Sequence, residues 1–210
     1  MSFENFLQEE LGKHDCKAIE ELILDELFVA ENGTLTKEHK TTLEKYVNLQ
    51  SLSCSKIELK SLKNMPNLPN LIILELDNNE LTGNDFNEII DLYPNLCKLS
   101  IRNNKISTYD CLKPLVKMTK LEHINIQGNP VSEKSDYSRN KVFEILPSLI
   151  AVDNLNKEGE KVESSFIGGE DGEENDDYLD EEGEEFDDDE DDIEEDDEDE
   201  EDEDEDEDDD

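Results

Sequence analysis

LIILELDNNEL (71–81), LCKLSIRNNKI (96–106) and LEHINIQGNPV (121–131) superimpose on one another at a constant interval of 25 residues. Each fits L-x-x-L-x-L-x-x-N-x-L, with Ile or Val at some Leu positions. An earlier copy begins at Leu49 and keeps Leu52, Cys54 and Leu59 in register, with Ile57 where the asparagine belongs. A weaker one begins at Ile19 with Leu22, Leu24 and Leu27. Self-similarity at a fixed short period means stacked supersecondary units, none of which buries its apolar side alone.

The pattern predicts an α/β leucine-rich repeat solenoid of about five repeats, with a curved parallel sheet on the concave face and a helical or irregular convex face. Side chains alternate along a strand, so Leu74 and Leu76 point inward while Ile73, Glu75 and Asp77 face the concave side. Asn79, Asn104 and Asn129 fall at the sharp turn that follows each strand. An amide there both donates and accepts, and satisfies backbone groups that the turn would leave buried and unpaired. The return leg NDFNEIIDLY (84–93) places Phe86, Ile89, Ile90 and Tyr93 at helical spacing. Pro69, Pro94 and Pro147 each precede a strand leucine by two residues and end the return leg.

Open ends of a solenoid need covers. Ser2 followed by Phe3, Phe6, Leu7 and Leu11 predicts an N-capped amphipathic helix over the first repeat. Val142, Phe143, Leu146, Leu149 and Val152 predict a short helix and a last turn that close the other end. The apolar pattern stops after Asp153, so the repeat domain is expected to span 1–157, followed by a tail at 158–210.

Charge separates the same two parts. The chain carries 19 basic and 61 acidic residues, a net of −42. Residues 1–157 hold 24 acids and 18 bases; residues 158–210 hold 37 acids and Lys161. The second part has too few apolar groups to offset the entropy of ordering and is expected to be disordered. No apolar run reaches the length of a membrane span, and MSFENFLQEELGK has acids where a signal peptide needs bases. Cys16, Cys54, Cys97 and Cys111 lack CxxC or Cys/His spacing and read as reduced thiols, mostly small core fillers, of an intracellular chain.

No catalytic arrangement emerges. His14, His39 and His123 have no nucleophile placed by a motif, and His123 reads as an exposed imidazole on the concave side. Mobile, solvated tail carboxylates lack the fixed geometry of acid–base catalysis. DNNELTGNDFNE (77–88) fails as a calcium loop, with Leu81 and Thr82 at required ligand and glycine positions. Neither a metal nor a cofactor is expected.

The opening KAIEELILD (17–25), the PNLxxLxLxxNxL units at 69–81 and 94–106, and the closing DYSRNKVFEILPSL (136–149) set before an Asp/Glu tail resemble the acidic leucine-rich nuclear phosphoprotein 32 family. That resemblance implies a non-enzymatic protein of nucleus and cytoplasm that chaperones or masks histones, or that inhibits protein phosphatase 2A. Nothing basic follows Lys161, where such proteins commonly carry an import motif, and no Ser or Thr follows Ser165.

The concave face is the default recognition surface of a solenoid. Its candidate partner-binding residues are Glu21, Asp25, Ser53, Glu75, Asp77, Lys98, Arg102, His123 and Asn125. In the tail, 34 of residues 170–210 are acidic. An extended chain advances about 3.3–3.6 Å per residue, close to the spacing of about 3.4 Å between phosphates of one DNA strand. A tail of this kind imitates a nucleic-acid backbone, so the expected partners are strongly basic proteins, histones first. Nucleic acid and membrane are not expected partners, and the chain is expected to be monomeric. An adaptor role in a ribonucleoprotein or cytoskeletal complex is the third reading, and it leaves the tail unexplained.

Overall fold

The computed structural model describes residues 2–135 and 137–162. Six short strands form one parallel sheet in sequence order: β1 Glu21–Ile23, β2 Ser51–Ser53, β3 Ile73–Glu75, β4 Lys98–Ser100, β5 His123–Asn125 and β6 Ala151–Val152. Register aligns Leu22, Leu52, Leu74, Leu99, Ile124 and Val152 in a single row. All six are buried, as is the next inward row of Leu24, Cys54, Leu76, Ile101 and Ile126. Each of the first five strands, with the residue that follows it, therefore contributes two inward residues and β6 one, and stacking them builds a continuous core that no single repeat contains.

The convex side mixes short helical and irregular segments, in line with the expected helical or irregular convex face. The 25-residue units use one turn of helix, α3 Asn87–Ile90, and a 3-10 segment, Tyr109–Lys117. Phe86, Ile89 and Tyr93 are buried, while Ile90 is only half-buried and helical geometry covers less of this leg than its spacing suggests. Pro114 sits inside the 3-10 segment, where its missing N–H and fixed φ disfavour a continuous α-helix. The longer first repeat accommodates α2 Lys37–Leu43, which starts on a capping box: His39 N–H donates to Thr36 Oγ1, and Thr36 N–H donates to His39 Nδ1.

Both ends are closed. At the start, α1 Phe3–Glu10 is capped by Ser2, whose hydroxyl accepts from Asn5 N–H, and its buried Phe3 and Leu7 face the core. Phe3 packs against Phe28 and His39 at centroid distances of 5.1 and 4.3 Å. At the other end α4 Arg139–Ile145 buries Val142 and Phe143, and the chain then adds β6. The expected closing turn is thus a sixth strand. Backbone pairing continues beyond residue 157, through the Leu155–Lys161 bridge to Val162 N–H donating to Asn154 C=O. The tail expected to be disordered lies outside the described residues, apart from 158–162.

All four cysteines are free thiols. Only Cys54 is fully buried; Cys16, Cys97 and Cys111 are half-buried, so most are peripheral rather than core fillers.

Candidate partner-binding face

The turn asparagines form a ladder that ties each repeat to the one before it. Asn79 Oδ1 accepts from Ile57 N–H and Leu59 N–H (3.1 and 2.9 Å), and its Nδ2 donates to Cys54 and Leu76 C=O. Asn104 accepts from Leu81 N–H and donates to the carbonyls of Leu76, Ile101 and Arg102. Asn129 accepts from Ile106 N–H and donates to Ile101 and Ile126 C=O. All three side chains are buried. The residue before each ladder position holds a left-handed backbone: Asn78 at φ 54°, Asn103 at 51° and Gly128 at 66°.

The concave face carries a second ladder, built from candidates expected to reach solvent. Asp25 Oδ1 accepts from Ser53 Oγ at 2.6 Å and Ser55 N–H at 2.7 Å. Two repeats on, Asp77 Oδ1 accepts from Ser100 Oγ and Arg102 N–H, both at 2.7 Å. Ser55 Oγ in turn accepts from Asp77 N–H, which links the two units. At the far end Asp153 Oδ1 accepts from Ile126 N–H and its Oδ2 from Tyr137 OH. These carboxylates are structural acceptors. Burial raises the Asp77 and Asp153 carboxyls above the usual aspartate range, and the bonds they accept offset part of that rise.

The expectation of an open polar face therefore needs correction at several positions. Ser53, Glu75 and Asn125 are buried, and Asp25 and Asp77 spend an oxygen on the neighbouring repeat. Neighbouring strands lie about 4.8 Å apart, so short side chains on a tightly stacked sheet shield one another. Glu75 lies opposite Ser100 in the register, and Lys98 opposite Ile73. His123 is half-buried rather than exposed: its Nδ1 is enclosed with no hydrogen-bond partner, and burial together with Lys98 lowers its pKa. What reaches solvent is polarised. Glu21 and Ile23 are exposed on β1, and Arg102 is exposed beyond β4.

Sequence reasoning missed a third row. Asn48, Asn70 and Asn95, each immediately before a strand leucine, donate from Nδ2 to the carbonyls of Lys17, Val47 and Pro69. The signal was present in the repeated Asn-Leu pair at 48–49, 70–71 and 95–96. Among the described residues, no group of three or more His, Cys, Asp or Glu side chains is placed to hold a metal, and no helix is long and apolar enough to cross a membrane.

An open parallel sheet stacked from repeats, with a cap at each end, defines a leucine-rich repeat protein. A leucine-rich repeat family model matches residues 39–171. Acidic leucine-rich nuclear phosphoprotein 32-related protein 1 of Caenorhabditis elegans is 33% identical over 168 residues, covering 79% of this chain and 70% of that one. The chain belongs to the acidic leucine-rich nuclear phosphoprotein 32-related family of leucine-rich repeat proteins. A protein named as a histone, from Tetrahymena thermophila, is 31% identical over 140 residues, 64% of this chain but only 36% of its own length. The crystal structure of the Drosophila melanogaster SNF/U2A' complex contains a chain with a TM-score of 0.48 and 31% identity, covering 59% of this chain and 65% of that one.

Proposed function

We propose that this protein binds histones or similarly basic proteins without catalysing a reaction, the tail supplying charge neutralisation and the repeat domain selecting the partner. The observation that carries this reading is the segregation of charge: 34 acids within residues 170–210, attached to a repeat domain that is close to balanced. Solubility of a small domain calls for a net charge of only about 2–8, far less than the tail holds. A dense polyanion binds a polycation largely through release of condensed counterions, by analogy with DNA. Similarity to a segment of a protein named as a histone supports histones as the partner class. The name of the family, nuclear phosphoprotein, supports a nuclear location.

The test is histone affinity measured across a salt series, for the native chain and for a chain whose tail acids are changed to Asn and Gln at constant length. The reading requires a steep loss of affinity with salt in the first and a shallow one in the second. Equal affinities and equal slopes would refute it, and inhibition of a protein phosphatase through the repeat domain would then become the reading to test.

A further inference from the structure

The two edges of the sheet are finished differently. At β6 the chain folds back on its own last strand: Val152 N–H donates to Leu155 C=O, and antiparallel bridges join Val152 to Leu155 and Leu155 to Lys161. At β1 no such cover exists among the described residues. Backbone groups of even-numbered residues point toward β2, since Leu24 N–H donates to Ser53 C=O and Glu20 C=O accepts from Gln50 and Ser51 N–H. Hydrogen-bonding direction alternates along a strand, so the N–H and C=O of Glu21 and Ile23 point away from the sheet. None of these four groups is hydrogen-bonded to another described residue. An open edge of this kind is a template for an added strand.

The side chains beside that edge state what it accepts. Ile23 is 40% exposed, and Glu21 is exposed two residues before it on the same concave face. Asp15, Glu20, Glu21, Asp25 and Glu26 crowd residues 15–26, against Lys17 alone in that stretch. Glu26 is already paired with Lys56 from the next repeat, which leaves Glu20 and Glu21 as the exposed anions flanking the strand.

We propose that β1 receives an extended segment of the basic partner as a seventh strand, its main chain pairing with Glu21 and Ile23. This rests on the reading that the partner is a basic protein. It adds where and how an uncoiled segment is read. Side chains two residues apart share a face, so a basic residue of the guest meets Glu21 and an apolar residue two positions away meets Ile23. Main-chain bonds supply affinity that is insensitive to side-chain identity, and the Glu21/Ile23 pair supplies the alternating basic and apolar preference.

The experiment uses the isotope-labelled full chain at about 150 mM salt, where exposed charges more than about 8 Å apart are largely screened. The probe is an acetylated, amidated peptide, Lys-Thr-Val-Thr-Lys-Thr-Val. Two isomers N-methylated at alternate residues, one pattern on Lys and Val and the other on Thr, keep its charge and remove the donors of one edge or the other. The parent peptide is expected to slow amide exchange at Glu21 and Ile23. One isomer keeps that effect and the other binds about tenfold more weakly, the scale of a lost main-chain hydrogen bond; which isomer fails gives the strand direction. If both isomers bind as the parent does, or if exchange at Glu21 and Ile23 stays unchanged while the peptide binds, the edge proposal is overturned and capture by the tail stands. If no peptide binds at any concentration tested, the edge proposal is overturned, while the basic-partner reading is decided separately by the histone salt series.

Discussion

The turn ladder and the concave ladder do the same physical task in opposite styles. Asn79, Asn104 and Asn129 recur at a constant interval, and one amide in each repeat satisfies backbone groups of two coils. On the concave side the acceptor is a carboxylate in alternate repeats, Asp25 and Asp77, with serine hydroxyls between. The first is fixed by the geometry of a turn, which admits few solutions. The second is one of several ways to satisfy a crowded sheet face, and it leaves Glu21 at the β1 edge and Arg102 just beyond β4 free to reach solvent.

The comparison predicts a ranking. Asn104→Ala removes one buried acceptor and a donor shared among three carbonyls, and should cost about 2–3 kcal/mol of unfolding free energy. Urea denaturation monitored by circular dichroism reads it, and an unchanged midpoint would break the ladder account. Gly128→Ala tests the turn one residue upstream of Asn129. An alanine Cβ there would stand 1.8 Å from Asn103 Oδ1 on a backbone at φ 66°, so the asparagine must swing away. A loss of about 1–2 kcal/mol is expected, and a neutral result would mean that the loop relaxes freely. Asp77→Ala on the concave side should cost about 1–2 kcal/mol, because it strips the acceptor from the buried Ser100 hydroxyl, while Arg102 N–H, its other donor, reaches solvent. A cost above that of Asn104→Ala would invert the comparison.

The smallest expected effects are those of pH, and their signs differ between the concave ladder and α2. Asp77 and Asp153 titrate above the unfolded aspartate value of 3.8, so the folded state holds their protons more tightly. Their contribution to stability is present at low pH and is lost as pH rises from 3.8 through the raised folded values. His39 titrates below 6.5, because it is packed against Phe3 and Phe28 and its burial outweighs the attraction of Glu31 and Glu38. Its neutral Nδ1 is also the acceptor of the capping box, so its contribution is present above 6.5 and is lost as pH falls through the lowered folded value. His39→Gln should therefore flatten the stability profile as pH falls below 6.5, and Asp77→Asn should flatten it as pH rises above 3.8. A His39→Gln chain with the same slope as the native one would remove His39 as the source.

Much of this architecture is legible in the sequence for a definite reason. A solenoid repeats one local solution, so the inward leucines, the turn asparagines and the two caps each leave a periodic or patterned trace. Alternation also assigns Glu21, Ser53, Glu75 and Asn125 to the concave side, but says nothing about whether that side is open. Depth depends on how closely strands stack and on what the neighbours carry, which is why Ser53 and Asn125 read as surface residues and are buried. The carboxylate ladder escaped notice because it skips repeats. The open edge at β1 escaped because backbone direction has no side-chain signature. His123 misled for a related reason: its partners are Lys98 on one side and Ala151 on the other, contacts set by register rather than by its own segment.

The central claim is that the acidic tail, as a polyanion, holds a basic protein that the repeat domain selects. The most direct measurement is the dissociation constant for core histones as a function of salt, comparing the native chain with one in which the acids of 191–210 are replaced by Asn and Gln. Keeping the length constant separates charge from excluded volume. We predict that affinity falls steeply with salt for the native chain, and that the substituted chain binds at least about tenfold more weakly at about 150 mM salt with a shallower slope. Identical affinity and slope for the two chains would contradict the claim.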